Sequence, residues 1–113
     1  MNSIYSMARS GLQDAELRIT ASAHNRANTL TRGFVPAQVV STAIPSGGVS
    51  SRIAPPASPE FDARVDETTM GLSQTNLVDE VAGSMMAVAS FQANLATLQT
   101  AADLDKTLMS IKA

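Results

Sequence analysis

The chain has no cysteine and no tryptophan, and its aromatic residues amount to three phenylalanines and one tyrosine among 113 residues. The absence of cysteine excludes a disulfide scaffold, a thiolate zinc site and cysteine catalysis. The scarcity of aromatic side chains argues against a large ring-filled core, whereas alanine, serine and threonine are abundant. A chain of this length forms one small domain, and its composition suits helices that pack closely over small side chains.

Charge is missing from one long stretch, because residues 81–102 contain no Asp, Glu, Lys or Arg and no proline. Apolar residues recur there at steps of three and four, which predicts a helix seam that packs against another helix. The predicted seam consists of Leu77, Val81, Ser84, Val88, Phe91, Leu95, Leu98, Ala102, Asp105 and Met109. The other faces carry small neutral residues instead of the charges that usually meet water. We therefore expect this helix to be surrounded by its own protein, by other copies or by lipid.

Lipid is the least favoured of these surroundings. About 20 apolar residues span a bilayer, but Gln92, Asn94 and Gln99 interrupt this stretch, and no basic cluster flanks it to set an orientation. We expect no direct membrane span, and a small membrane-inserted helix protein is the alternative. The N-terminus lacks the basic segment and apolar run of a cleaved secretory signal peptide.

Capping residues place the helix ends. Asn76 is a suitable N-cap and Asp79 completes a variant of the capping box, so the long helix is predicted over 76–111. A second helix is predicted over 2–28, before a cluster of Asn, Thr and Gly. Its apolar stripe is Ile4, Ala8, Leu12, Ala15, Ile19, Ala23 and Ala27. Gly11 within it permits a close helix crossing or leaves the helix start mobile.

The middle of the chain is predicted to have little regular structure. A short strand broken by Pro36 is indicated by Phe34, Val35, Val39 and Val40. Residues 41–59 are rich in Ser, Gly, Pro and Ala and are typical of a linker. Alternation over residues 61–66 is a weak strand signal. The predicted organisation is an N-terminal helix over 1–33, a linker or irregular segment with possible short strands over 34–75 and a C-terminal helix over 76–113. The predicted fold is mainly α, with the terminal helices paired as an antiparallel coiled coil and a long irregular or weakly β middle segment.

No catalytic or cofactor motif is present. His24 is the only histidine, no nucleophile or metal-ligand set lies at helical spacing from it, and the chain has no P-loop, GxGxxG or GxSxG pattern. We expect no enzyme activity, no cofactor, no metal and no small-molecule substrate. Basic residues are not clustered with aromatics, so no nucleic-acid partner is expected. Residues 1–52 carry five arginines against two acids, and residues 53–113 carry three basic residues against eight acids, so the two halves attract each other or neighbouring copies.

Two sequence motifs, one near each end of the chain, have an unusual composition. The N-terminal motif is Gly11-Leu12 followed by Asn25-Arg26-Ala27-Asn28-Thr29-Leu30-Thr31-Arg32-Gly33-Phe34. The C-terminal motif is Asn76-Leu77-Val78-Asp79-Glu80, then Phe91-Gln92-Ala93-Asn94, then Thr100, Asp103 and Leu108. Both motifs resemble those of the axial proteins of the flagellar rod and hook. The resemblance covers residues 3–34 and 73–111 and is strongest to the small proximal rod proteins of the basal body. Arg26 departs from the family, in which an isoleucine is usual.

This resemblance implies a structural subunit whose terminal helices form the inner coiled-coil layer of a helical tube. The implied partners are other copies, related axial rod subunits and the flagellar type III export apparatus. The implied location is the periplasmic rod of the basal body, reached without a cleaved signal peptide, and Phe61 to Val65 fits a short export pattern. The predicted assembly interface is Leu12, Ile19, Asn25, Ala27, Asn28, Thr31, Gly33, Phe34, Leu77, Val81, Val88, Phe91, Asn94, Leu95 and Leu98. The alternative function is a soluble helical adaptor or export chaperone of a type III secretion system, with a discrete binding groove.

Overall fold

The computed structural model describes residues 2–55 and 73–112 and shows a mainly helical protein. The elements in chain order are α1 (Asn2–Ala27), β1 (Val39–Ala43), β2 (Val49–Ile53) and α2 (Leu77–Lys112). Two long helices are thus separated in sequence by a small two-stranded antiparallel sheet. The strand signal over 61–66 and the export pattern at 61–65 lie outside the described residues.

Both helices begin and end close to the predicted residues. The backbone N–H groups of Val78 and Asp79 donate to Asn76 Oδ1 at 3.1 and 3.5 Å, which confirms Asn76 as the N-cap of α2. Helix α1 ends at Ala27, where the backbone N–H of Asn28 is shared between the carbonyl groups of His24 and Asn25. The chain then turns through Gly33, whose positive φ of 68° suits glycine.

The hairpin corrects the sequence prediction for the middle segment. The linker prediction for residues 41–59 is wrong up to Ile53, because β1 and β2 pair there with Ser41 opposite Ser51. The predicted strand over Phe34–Val40 is also displaced, since the first strand starts only at Val39. Gly47 and Gly48, with φ of 96° and 91°, close the turn in a conformation that other residues rarely adopt. The half-buried positions of the two strands are Val39, Ser41, Val49 and Ser51, so a serine stands at every second position where an apolar residue would mark a period of two.

Helix α1 lies between the hairpin and α2. The hairpin contacts one side of α1, and α2 packs on another side without contacting the described strands. At one end of the helix pair Tyr5 contacts Asp105, and at the other end Asn25 contacts Glu80. Most of the surface of α2 therefore faces solvent in the isolated chain.

Small side chains form the core between the helices. Ala8, Ala15 and Ser22 recur every seven residues on α1 and are all buried. On α2 the buried residues are Ala87 and Ala101. Packing over such short side chains lets two helix backbones approach more closely than packing over leucine does.

The predicted stripe on α1 holds only in its middle part. Ala8 and Ala15 are buried and Leu12 and Ile19 are half-buried, as predicted. The stripe members at its two ends, Ile4, Ala23 and Ala27, are exposed instead. A stripe with mainly four-residue steps winds around a helix of 3.6 residues per turn and leaves the buried face. Ser22 and Asn25 take over that face near the end of α1.

Candidate assembly surface

The face of α2 that is turned toward α1 follows a strict heptad. Its buried and half-buried positions are Glu80, Ser84, Ala87, Phe91, Asn94, Leu98, Ala101 and Asp105. These steps alternate between four and three, which is the 3.5-residue period of a helix seam. The covered face is therefore a seam of the predicted kind, but its members are smaller and more polar than expected.

Six of the ten predicted seam residues of α2 lie off the observed seam, four of them by one residue. Ser84, Phe91, Leu98 and Asp105 belong to both the predicted and the observed seam, whereas Val81, Val88 and Leu95 are 42, 44 and 38% exposed. Leu77, at the start of the predicted seam, is also exposed. The reason is steric, because a close approach to α1 favours Ala87, Asn94 and Ala101 over the neighbouring larger residues.

The displaced residues form a second apolar line on α2. We call it the flanking row, and it consists of Val81, Val88, Leu95, Ala102 and Met109. All five are exposed and recur every seven residues, beside the seam that α1 covers. Val88 of the row also lines a shallow and mainly apolar groove of about 280 Å³, together with Ser84, Met85, Ala89 and Gln92. A row with heptad spacing is able to pack against a further helix along its whole length.

Asn25 joins three parts of the chain at the end of α1. Its side chain is 1% exposed, and its Nδ2 donates to the Ala37 carbonyl at 2.9 Å and to Glu80 Oε1 at 2.8 Å. Its Oδ1 accepts the backbone N–H of Ala37 at 2.7 Å. Nearby, Ser22 Oγ donates to the Glu80 carbonyl at 2.9 Å. The predicted motif residue Asn25 is therefore a structural junction between α1, α2 and the segment that enters the hairpin.

We call the motif from Asn25 to Phe34 the corner. Beyond Asn25 it forms a compact turn. Asn28 Nδ2 donates to the His24 carbonyl at 2.9 Å, and Thr31 Oγ1 donates to Asn28 Oδ1 at 3.1 Å. The rings of His24 and Phe34 meet edge to face with centroids 5.5 Å apart. Arg26, the departure from the family pattern, is exposed.

A polar cluster that the sequence analysis missed holds the hairpin on α1. Asp14 accepts hydrogen bonds from the hydroxyls of Ser41 and Ser51 and from Arg18 Nε, the last at 3.0 Å. Arg18 Nη2 also donates to Ser41 Oγ at 2.6 Å. Partial burial raises the pKa of Asp14, but the hydrogen bonds from Ser41, Ser51 and Arg18 outweigh it, so that the pKa is below its ordinary value. The i,i+4 spacing of Asp14 and Arg18 was visible in the sequence, whereas the two serines became visible only through the strand register.

The structure divides the predicted interface residues by burial. The buried or half-buried ones are Leu12, Ile19, Asn25, Asn28, Phe34, Phe91, Asn94 and Leu98. The exposed ones are Ala27, Thr31, Gly33, Leu77, Val81, Val88 and Leu95. The first group lies mainly within the chain's own packing, and the second group is accessible to a neighbour.

Helix α2 is long and apolar enough to cross a membrane by length and composition alone, and little of its most apolar window is buried. Within residues 2–55 and 73–112, no group of three or more His, Cys, Asp or Glu residues is placed to hold a metal ion. No protein-family model matches the chain, and no curated protein matches it significantly.

Proposed function

We propose that this chain is a structural subunit of the bacterial flagellar basal-body rod and that it assembles into a helical tube through its terminal helices. In this proposal α1 and α2 pair as an antiparallel coiled coil. The order of their contacts supports that pairing, because Tyr5 near the start of α1 meets Asp105 near the end of α2, and Asn25 near the end of α1 meets Glu80 near the start of α2.

The observation that carries the proposal is the flanking row. Helix α2 uses one heptad seam on α1 and presents a second one, with Val81, Val88 and Leu95 only partly covered. Burial of apolar surface contributes about 25 cal/mol per Å², so a row that runs along the helix favours association with another helix. A helix with two adjacent seams has two helical neighbours, and the repeated contact of one copy with the next builds a tube or a filament.

Protein neighbours explain this surface better than lipid does. Gln92 and Gln99 lie on α2 within the uncharged stretch and are exposed, and amide side chains are unfavourable in hydrocarbon. The helix that packs on α2 also carries a hydrogen-bonded carboxylate and guanidinium at Asp14 and Arg18. In the proposal, other copies and related rod subunits surround α2 after export through the flagellar type III apparatus to the periplasmic rod.

The two sequence motifs add independent support. The corner motif has a structural reason in this fold, since Asn25 ties both helices to the hairpin segment and Gly33 adopts a positive φ. In the second motif, Phe91 and Asn94 lie on the seam toward α1. Each motif thus contributes residues to the contact between the terminal helices, Asn25 from the first and Phe91 and Asn94 from the second.

The test is a charge placed in the flanking row. Val88→Asp, introduced into the organism that encodes the chain, is expected to abolish swimming in soft agar and to remove the protein from purified basal bodies. Val88→Ile keeps the row apolar and is the matched control, with normal swimming. Because Val88 is 44% exposed in the single chain, the purified Val88→Asp protein should keep its helix content by circular dichroism. Normal motility of the Val88→Asp strain overturns the proposal.

The same experiment separates the adaptor or chaperone alternative. A soluble adaptor is absent from washed basal bodies even as the wild type, and it remains in the cytoplasm bound to an export substrate. Wild-type protein in the rod fraction decides for the structural subunit.

A further inference from the structure

The most exposed large apolar side chain in the described chain is Leu30, at 93%. It lies at the tip of the corner, beyond the end of α1, and is almost fully exposed. An isolated exposed leucine on a surface is ordinary, but this one lies in a hydrogen-bonded turn.

Hydrogen bonds on both sides fix the position of Leu30. Thr29 Oγ1 donates to the Arg26 carbonyl at 2.7 Å, and the backbone N–H of Thr31 donates to the Asn28 carbonyl at 2.9 Å. The turn is also tied to the start of α2, because the backbone N–H of Gln74 donates to the Phe34 carbonyl at 3.1 Å. We call Leu30 the knob. Because the turn that carries it is already ordered, its backbone loses little conformational entropy when the knob binds.

The opposite end of the molecule carries an apolar groove. It has a volume of about 350 Å³ and lies between the start of α1 and the second half of α2. Its lining residues are Ile4, Ala96, Thr97, Thr100, Ala101 and Leu104. This groove is distinct from the flanking row, since it shares none of the five row residues.

The charges around the knob and the groove are complementary. Leu30 is flanked by the exposed Arg26 and Arg32. Asp103 is exposed and lies three residues from Thr100, on the same side of α2 as the groove. A positively charged knob and a negatively charged groove rim favour one orientation of approach and disfavour the contact of two identical ends.

We propose that Leu30 of one copy inserts into the Ile4–Leu104 groove of a second copy, which joins subunits head to tail. The inference rests on the proposed function and names its axial contact. Knob and groove are different surfaces at opposite ends of an elongated molecule with principal extents of 74, 25 and 14 Å. Such a heterologous contact does not close on itself and continues as a row of subunits.

The natural absence of cysteine makes the contact testable by disulfide formation. A purified double variant with Leu30→Cys and Thr100→Cys is concentrated and mildly oxidised, and its covalent products are resolved by non-reducing electrophoresis. A disulfide requires β-carbons within about 4.5 Å, so the proposed contact yields a ladder of dimers, trimers and longer chains. The matched control pairs Leu30→Cys with Ala93→Cys, which is one heptad before Thr100 and outside the groove. We expect severalfold less product from the control.

Exchanging the charges at positions 103 and 32 provides a second test of the contact. Asp103→Arg in the double-cysteine background should reduce the ladder severalfold, and adding Arg32→Asp should restore it. Equal products from both cysteine pairs, a single dimer joined through position 30 of each copy, or monomer alone overturns the head-to-tail contact. None of these outcomes bears on Val88→Asp in basal bodies, so failure of the contact and failure of the rod proposal are distinguishable.

Discussion

Gly11 of α1 and Asn94 of α2 lie against each other so closely that a β-carbon on Gly11 would be 2.5 Å from Asn94 Oδ1. Glycine inside a helix costs about 1 kcal/mol of propensity relative to alanine, and here the missing side chain makes room for a neighbour. Of the two roles that the sequence allowed for Gly11, the structure shows the close helix crossing.

Gly11→Ala is therefore expected to lower the free energy of unfolding by about 1 kcal/mol, despite the better helix propensity of alanine. Gly83→Ala is the matched control. An added β-carbon there meets nothing within 4 Å, so this change should raise the free energy of unfolding by up to about 1 kcal/mol. Urea unfolding followed by circular dichroism measures both.

The partner of the clash is tested by adding Asn94→Ala to the Gly11→Ala protein. Removal of the amide is expected to recover the lost stability, with a coupling of about 1 kcal/mol in the double-mutant cycle. Additive effects of the two changes would contradict the close crossing.

Asn25→Ala is expected to cost about 3 kcal/mol of folding free energy. The change removes three hydrogen bonds and leaves the half-buried polar groups of Ala37 and Glu80 without their partner. Asn28→Ala, which alters a less buried asparagine in the same motif, should cost less than about 1 kcal/mol. Thermal unfolding of the two variants provides the comparison, and equal losses would refute the role of Asn25 as the junction.

Much of the fold was predictable from the sequence because its signals are local. The helix bounds followed from the Asn76 cap and from the Asn, Thr and Gly residues after α1, and they differ from the structure by one residue. The hairpin was missed because its strands are held by Ser41 and Ser51 on Asp14, contacts between residues far apart in the chain. Such polar contacts leave no apolar period to detect.

The sequence predicted the seven-residue spacing of the candidate surface but not which side of α2 faces α1. The seven-residue repeat of Val81, Val88 and Leu95 was evident, yet these three residues lie beside the face toward α1 and not on it. Which face is covered depended on the partner, because Gly11 and Ala15 of α1 admit a close neighbour with small side chains. That information lies in the other helix and cannot be read from α2 alone.

Acid should loosen the hairpin. The pKa of Asp14 is lower in the folded chain than its ordinary value of 3.8, so its stabilising contribution is complete above that value and is lost as the pH falls through the lowered pKa. The protection of the β1 and β2 amides against hydrogen exchange, relative to an unfolded chain at the same pH, should therefore fall in this acid range. Asp14→Asn is expected to show the loosened hairpin already at neutral pH and to lack this acid step.

Asp103→Asn is the control for that experiment, because Asp103 is exposed and lies on α2, away from the hairpin. It should leave the exchange of the strand amides unchanged at every pH. Strand amides that keep their protection in Asp14→Asn would show that the carboxylate does not hold the hairpin.

The only tyrosine of the chain, Tyr5, reports on the end of the helix pair where the start of α1 meets the end of α2. Tyr5 OH donates to Asp105 Oδ2 at 2.7 Å, and this hydrogen bond, followed by desolvation and the carboxylate charge, raises the pKa of Tyr5 above its ordinary value of 10.0. Alkaline titration of phenolate absorbance should therefore show a midpoint above that value in the native chain. Asp105→Asn should move the midpoint down, whereas Asp103→Asn should not. A native chain that titrates at the ordinary value would show that the start of α1 and the end of α2 do not meet in solution.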